Sequence, residues 1–291
     1  MSVVKAIIFG ASGQDGYYLS ALLKEKGCEV IGISRQLTTA NIDLADYNSV
    51  AELVKIQQPD YIFHLAANST THHHALFENQ ETITTGTLNI LEAVKLYSPF
   101  TKVFISGSGL QFENKNKPIK ESDPFEAGNA YSMSRIQSVY IARYFRTLGL
   151  KVYVGYFFNH DSPLRTERHM TKKISEAAKR IAKGSDEKLI IGDVEAIKEY
   201  TFAGDVVKGI WSLINQHEIF EANISSGKGY SIKDWLEQCF ALINKDWKDY
   251  VVKDISFVPS YKQLVSDPSL IHSLGWKAEV SFEELAKLMM Q

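Results

Sequence analysis

The sequence predicts a doubly wound parallel α/β sheet with a smaller mixed α/β lobe behind it. Three observations carry that prediction. Short β-branched runs alternate with stretches of helical period over the first half of the chain. A glycine-punctuated turn follows the first of these runs, and the rhythm breaks after about Gly155, where helices mix with short strands.

Residues 3–16, VVKAIIFGASGQDG, organise the rest. An apolar strand runs into glycines spaced G-x-x-G-x-x-G, at Gly10, Gly13 and Gly16, and an amphipathic helix carrying Leu19, Leu22 and Leu23 follows. A strand ending in such a turn lets backbone approach a pyrophosphate, which then sits on the helix N-terminus, where free N–H groups and the helix dipole favour anions. A dinucleotide is therefore expected against Gly10, Ser12, Gly13, Gln14, Asp15 and Gly16, on a Rossmann-type sheet. A plain tight turn before a surface helix is the plainer alternative.

The next elements follow in order. Glu29–Ile33 is an apolar run suited to a buried parallel strand, and the residues after it should meet the adenosine ribose. Ser34 and Arg35 stand there instead of an acid; a small residue with a guanidinium suits a 2′-phosphate, so NADP(H) is favoured and NAD(H) is the alternative. The other reading of Arg35 is a solvated loop cation. Asp43 and Leu44 are expected to close a third short strand, with Asp43 accepting a bond from the adenine amino group. Residues 45–58 read as a helix and 61–65 as a strand, after which Leu65, Ala66 and Ala67 leave room for the cofactor. Three consecutive histidines, His72 to His74, point in different directions and lack a partner at helical ligand spacing, so no metal site is expected. Residues 78–97 have helical period, and 102–106 form the next strand.

In such a sheet the working crevice lies outside the carboxyl ends of the strands. Ser108 follows the strand at 102–106, and a helix beginning near Asn129 carries Tyr131 and Arg135 one above the other at i, i+4. A phenol beside a fixed positive charge can pass a proton to or from an alcohol oxygen while hydride moves at the neighbouring carbon, with Ser108 holding that oxygen.

Composition sets outer limits. The 291 residues, 45% hydrophobic and 23% charged, suffice for a large core. A net charge of −2, from 32 basic and 34 acidic residues without blocks, predicts neither a nucleic-acid partner nor an anionic membrane partner. Cys28 and Cys239 are too few for a disulfide framework, and without a long apolar run the expected setting is cytoplasmic.

The glycine turn, Asp43-Leu44, the run His64-Leu65-Ala66-Ala67, the serine after the strand and Tyr-x-x-x-basic together resemble the extended short-chain dehydrogenase/reductase family. Phe158-Asn159-His160-Asp161-Ser162-Pro163, Lys172-Lys173-Ile174-Ser175, Leu274-Gly275-Trp276 and the stretch 280–285 resemble the GDP-mannose 4,6-dehydratases and related nucleotide-sugar enzymes, from end to end of the chain. The resemblance implies a nucleotide-diphosphate sugar as substrate, GDP-linked, with Asn159 against it. Lys198 stands where the family has an arginine facing the diphosphate, and Val258-Pro259 replaces an arginine-proline pair. Arg165, Arg168 and Lys172 are the replacement clamp candidates; solvated helix charges are the alternative for each.

Two departures bear on chemistry. An acidic residue that works on the C5 proton in the dehydratases is here Leu110, which cannot accept a proton; an alignment shifted by one residue puts Gly107 and Gly109 in the serine and acid places and supplies no acid either. The family lysine is Arg135, whose planar fork holds hydroxyls differently. The segment after Arg35 is shorter than the dehydratase loop that reaches a neighbouring subunit, so a homodimer rather than their tetramer is expected. The expected activity is reduction, or epimerisation, of a 4-keto nucleotide sugar: hydride from NADPH to C4, a proton from Tyr131. Complete 4,6-dehydration is the runner-up, and a degenerate NADP-binding regulatory protein the reading from another class.

Residues 1–155 are assigned to the dinucleotide-binding domain and 156–291 mostly to the substrate lobe, some segments returning to the first domain. That lobe should hold helices at 170–183, 205–215, 231–242 and 282–289 and strands at 189–191, 198–201 and 255–257. Its aromatic stretches read as core, with Tyr230 and Trp235 as candidate exceptions.

Overall fold

The computed structural model describes residues 3–34, 42–257 and 261–291. The first half holds β1 (Lys5–Phe9), α1 (Gln14–Glu25), β2 (Glu29–Ile33), α2 (Tyr47–Gln57), β3 (Tyr61–His64), α3 (Leu76–Asn79), α4 (Gly86–Tyr97), β4 (Lys102–Ser108), α5 (Ala130–Thr147) and β5 (Lys151–Phe157). The second holds β6 (His160–Asp161), α6 (Met170–Ala182), β7 (Leu189–Ile191), β8 (Ile197–Glu199), β9 (Thr201–Phe202), α7 (Ala203–Ile214), β10 (Glu221–Ile224), β11 (Gly229–Ser231), α8 (Ile232–Ala241), β12 (Val251–Lys253), β13 (Gln263–Leu264), α9 (Ser269–Ser273) and α10 (Phe282–Met290).

Six parallel strands form the main sheet in the order β10-β5-β4-β3-β1-β2. Ala6 to Phe9 are fully buried because helices cover both faces, which explains why these strands are continuously apolar rather than alternating. One face packs Ile7, Phe9, Ile62, Val103 and Val152 against α2, α4 and α5; the other packs Ile8, Phe63, Phe104 and Tyr153 against α1 and α7. A third cluster, around Ile174, Trp235, Phe240 and Leu285, is the core of the smaller lobe built from α6, α8 and α10. Among the described residues no helix is long and apolar enough to cross a membrane.

Three expected features differ. Asp43 and Leu44 lie in a turn, not a strand: the Asp43 carboxylate accepts the Ala45 N–H at 2.9 Å and its carbonyl accepts the Asp46 N–H at 3.1 Å. Such a side-chain-to-backbone bond competes with a ladder and launches α2, which Asp46 caps. Likewise the strand foreseen at 255–257 is a turn closed by Asp254 on Ser256, and the pairing falls earlier, β12 on β7. Trp235 is fully buried with its indole N–H on the Thr171 carbonyl at 3.1 Å, and Tyr230 stacks on Phe282 with ring centroids 3.9 Å apart. Both rings are therefore spent inside the lobe.

Glu221 ties the sheet edge to α5. Its carboxylate accepts from Arg143 at 2.9 and 2.7 Å, from the Tyr156 hydroxyl at 2.5 Å, and from Arg146. Burial alone pushes such a carboxyl up, but Arg143, Tyr156 and Arg146 outweigh it and hold Glu221 at about 2, against the usual 4.5. A depressed carboxylate stabilises above its ordinary range, and that contribution fades as pH falls from about 4.5 toward 2. Glu221→Gln should therefore cost about 2 kcal/mol at neutral pH, after screening of this partly exposed cluster, and nothing near pH 2. Urea midpoints of both proteins across that range check it; a constant gap between them refutes the linkage.

Candidate active site

The carboxyl ends of β1, β3, β4 and β5 open into one cavity of about 950 Å³, the scale of a site that encloses a sizeable ligand. Its floor is the glycine turn. Gly10 has φ +91°, and a Cβ there would stand 2.7 Å from the Ala66 backbone nitrogen; a Cβ on Gly16 would stand 2.3 Å from the Gly10 carbonyl oxygen. Gly13 differs, since a Cβ there meets nothing in the protein closer than 3.4 Å. The space over Gly13, at the N-terminus of α1, is a cradle open toward the cavity, and the first N–H groups of that helix have no partner within it. A dinucleotide pyrophosphate fits these residues.

Of the residues singled out in the sequence, Gly10, Ser12, Gly13, Gln14, Asp15, Gly16, Ser34, Asp43, Leu44, Leu65, Ala66 and Ala67 all line this cavity. Arg35 lies outside the described residues, as does Val258-Pro259. The side chains of Gln14 and Asp15 are already engaged. Gln14 Oε1 accepts the Ser162 hydroxyl at 2.9 Å, and Asp15 Oδ1 meets His160 Nε2 at 3.0 Å. Burial pulls His160 down, yet the Asp15 carboxylate prevails and the imidazole pKa is raised; Asp15, pushed up by burial, is held low by His160 and Arg165. This clasp fastens the segment after β5 onto the glycine turn.

Ser108, Tyr131 and Arg135 line the same cavity. Ser108 ends β4 and caps the following turn: its Oγ accepts the Leu110 N–H at 3.2 Å, and Gln111 Oε1 accepts the Ser108 N–H at 2.8 Å. The hydroxyl proton of Ser108 remains available for a ligand oxygen. Asn129 caps α5, with Oδ1 accepting the Ser132 N–H at 2.9 Å, which sets Tyr131 and Arg135 in the first two turns. The Arg135 guanidinium lies over the Tyr131 ring, 5.1 Å from its centroid. Leu110 faces the cavity beside Ser108, in an apolar wall shared with Phe158, Tyr261 and Leu264.

At the far end, Asn159 lines the cavity with a buried Oδ1 that has no partner in the protein. Arg165 and Arg168 line it too. Arg165 is braced by the His160 carbonyl at 2.9 Å and by Asp161 at 3.3 Å. His169 stands beside Arg165, and burial with that guanidinium lowers it to about 4, so it is neutral at physiological pH. Lys172 and Lys198 are not part of the lining. Lys172 is turned onto Glu176 at 2.7 Å, and Lys198 lies over the Tyr200 ring, its pKa lowered by burial.

Sequence reasoning did not assign Ser106, His160 or His169. His160 stands inside the run 158–163 that resembles the family but without a role, and Ser106 and His169 show only polarity, which does not tell a buried partner from a solvated one.

Fold and site together define an extended short-chain dehydrogenase/reductase. The GDP-mannose 4,6 dehydratase family model matches residues 7–289, and the chain belongs to that family. It is 31% identical over 320 residues to GDP-mannose 4,6 dehydratase 1 of Arabidopsis thaliana, covering 98% of this chain and 88% of that protein. To the GDP-mannose 4,6-dehydratase of Vibrio cholerae it is 28% identical over 345 residues, with 98% and 92% covered. Among solved structures, RMD from Pseudomonas aeruginosa complexed with NADPH superposes with a TM-score of 0.87 at 21% identity, over 99% of this chain and 98% of that one. The UDP-glucose 4-epimerase of Thermotoga maritima with UDP-glucose gives 0.87 at 20%, over 99% and 97%.

Proposed function

We propose that this protein is an NADP(H)-dependent oxidoreductase that reduces the 4-keto group of a nucleotide-diphosphate sugar, the nucleotide being GDP. The observation that carries the reading is Leu110: the wall beside Ser108 and Tyr131 holds a leucine, so the triad can serve a redox step while that position offers no proton acceptor for water elimination.

The bound dinucleotide supplies the hydride. The N–H groups at the start of α1 hold its pyrophosphate, Leu65, Ala66 and Ala67 make space along it, and Ser34 stands at the ribose end with Arg35 following in sequence. Ser108 donates its hydroxyl hydrogen to the sugar carbonyl oxygen. Tyr131 delivers a proton to the same oxygen as it becomes an alkoxide, and Arg135 offsets the charge left on the phenol. Asn159, with its unpartnered Oδ1, contacts the sugar nucleotide; Arg165 and Arg168 face its diphosphate.

A second reading, the full 4,6-dehydration, is favoured by family membership. One experiment separates them. NADPH absorbance is followed with a panel of 4-keto-6-deoxy nucleotide sugars and with GDP-mannose, products being weighed by mass spectrometry. Stoichiometric NADPH consumption with a 4-keto sugar is the expected result. Loss of water from GDP-mannose without net consumption overturns the reductase reading.

The reading places the protein in the cytoplasm as a homodimer. The neighbouring helices α3, α4 and α5 leave Phe77, Leu88, Tyr140 and Tyr144 exposed, a face suited to a second copy. Sedimentation should report twice the chain mass; a monomer removes the dimer from the proposal.

A further inference from the structure

We propose that Ser106, a buried residue of β4 in the cavity lining, is the positioning residue that lets an arginine serve at position 135; the idea rests on the roles given above to Tyr131 and Arg135. Arg135 is 4% exposed and Ser106 1%. One guanidinium nitrogen, Nη1, donates to both the carbonyl oxygen and the hydroxyl oxygen of Ser106, the latter at 2.8 Å. The other end of that hydroxyl is committed. Ser106 Oγ donates its single hydrogen to the His64 carbonyl at 3.0 Å, so only its lone pairs face Arg135. The serine is thereby fixed as an acceptor, and the two-point hold keeps the guanidinium against the Tyr131 ring.

Two further features show why the hold matters. Arg135 Nε is buried with no hydrogen-bond partner, and among the described residues no carboxylate forms an ion pair with this cation. Ser106 is thus what restrains it from the protein side. The neighbouring His64 ring, kept neutral with a pKa of about 3 by burial and by Arg135 itself, adds no competing charge. A lysine ammonium ends one bond short of Nη1 and does not reach this pair of Ser106 oxygens in the same way, so a lysine at 135 has no such need of the Ser106 hydroxyl.

The test is a four-protein cycle: wild type, Ser106→Ala, Arg135→Lys and the double variant, assayed with NADPH and a 4-keto nucleotide sugar. Ser106→Ala should lower kcat about tenfold beside Arg135 but less than about twofold beside lysine, with KM and melting temperature nearly unchanged. Equal losses in both backgrounds overturn the proposal, since they mark a merely structural serine. A readout independent of turnover is the ¹⁵N spectrum of the arginine side chains. Slowly exchanging Nη–H signals of Arg135, identified by their loss in Arg135→Lys, should exchange distinctly faster in Ser106→Ala, where only the backbone carbonyl at 106 still accepts; an unchanged exchange rate overturns the proposal. A wild type that turns over none of these sugars sinks the reductase reading instead, and the spectrum still decides the role of Ser106.

Discussion

Tyr131→Phe is expected to lower kcat by about 10²- to 10⁴-fold, the range over which a positioned proton donor acts, while NADPH affinity and melting temperature stay close to those of the wild type. The substitution removes one oxygen. Tyr131 is 9% exposed, and its ring keeps its place beneath the Arg135 guanidinium at 5.1 Å, so the packing survives. Steady-state kinetics with a fluorescence titration of NADPH check both halves. A loss smaller than about tenfold removes Tyr131 from the chemistry. Intact NADPH binding in a wild type that turns over no sugar points instead to a binding protein that kept its dinucleotide turn.

Much of this was legible in the sequence because it depends on local patterns. The strand–glycine–helix unit at Gly10, Gly13 and Gly16 and the i, i+4 pair Tyr131 and Arg135 are fixed by backbone periodicity, and the structure gathers them around one cavity. The misread elements share one physical origin. Asp43 and Asp254 turn the chain by accepting N–H bonds from residues two further on, and that short polar bond outweighs the strand propensity of the adjacent Leu44 or of Ile255 and Phe257. Side-chain partnerships over long sequence separations left no mark. The Asp15–His160 clasp joins residues 145 apart, and the hold of Arg135 on Ser106 spans 29, so neither has a period or spacing to betray it. Glu199 is the same case on a larger scale. It is fully buried, with one carboxylate oxygen on the Ser266 N–H at 2.7 Å and the other on the Ser226 N–H at 2.7 Å, tying two loops to β8.

Gly16→Ala should abolish NADPH binding, lowering affinity at least about 100-fold, and destabilise the fold by about 2 kcal/mol or more. The added Cβ would lie 2.3 Å from the Gly10 carbonyl oxygen and 2.6 Å from Ala11 Cα, and these are backbone atoms that cannot rotate aside. The turn must therefore open, and with it the approach to the helix N-terminus. Gly13→Ala supplies the contrast. Its φ of −74° suits alanine, and its Cβ meets protein no closer than 3.4 Å, so the unliganded protein should melt as the wild type does. Its NADPH affinity should nevertheless fall about tenfold, because the methyl occupies space left for the pyrophosphate. Calorimetric titration and thermal melts of the two variants decide the matter. If Gly13→Ala binds NADPH like the wild type, the pyrophosphate does not lie over this turn; if Gly16→Ala does, the turn is softer than its contacts indicate.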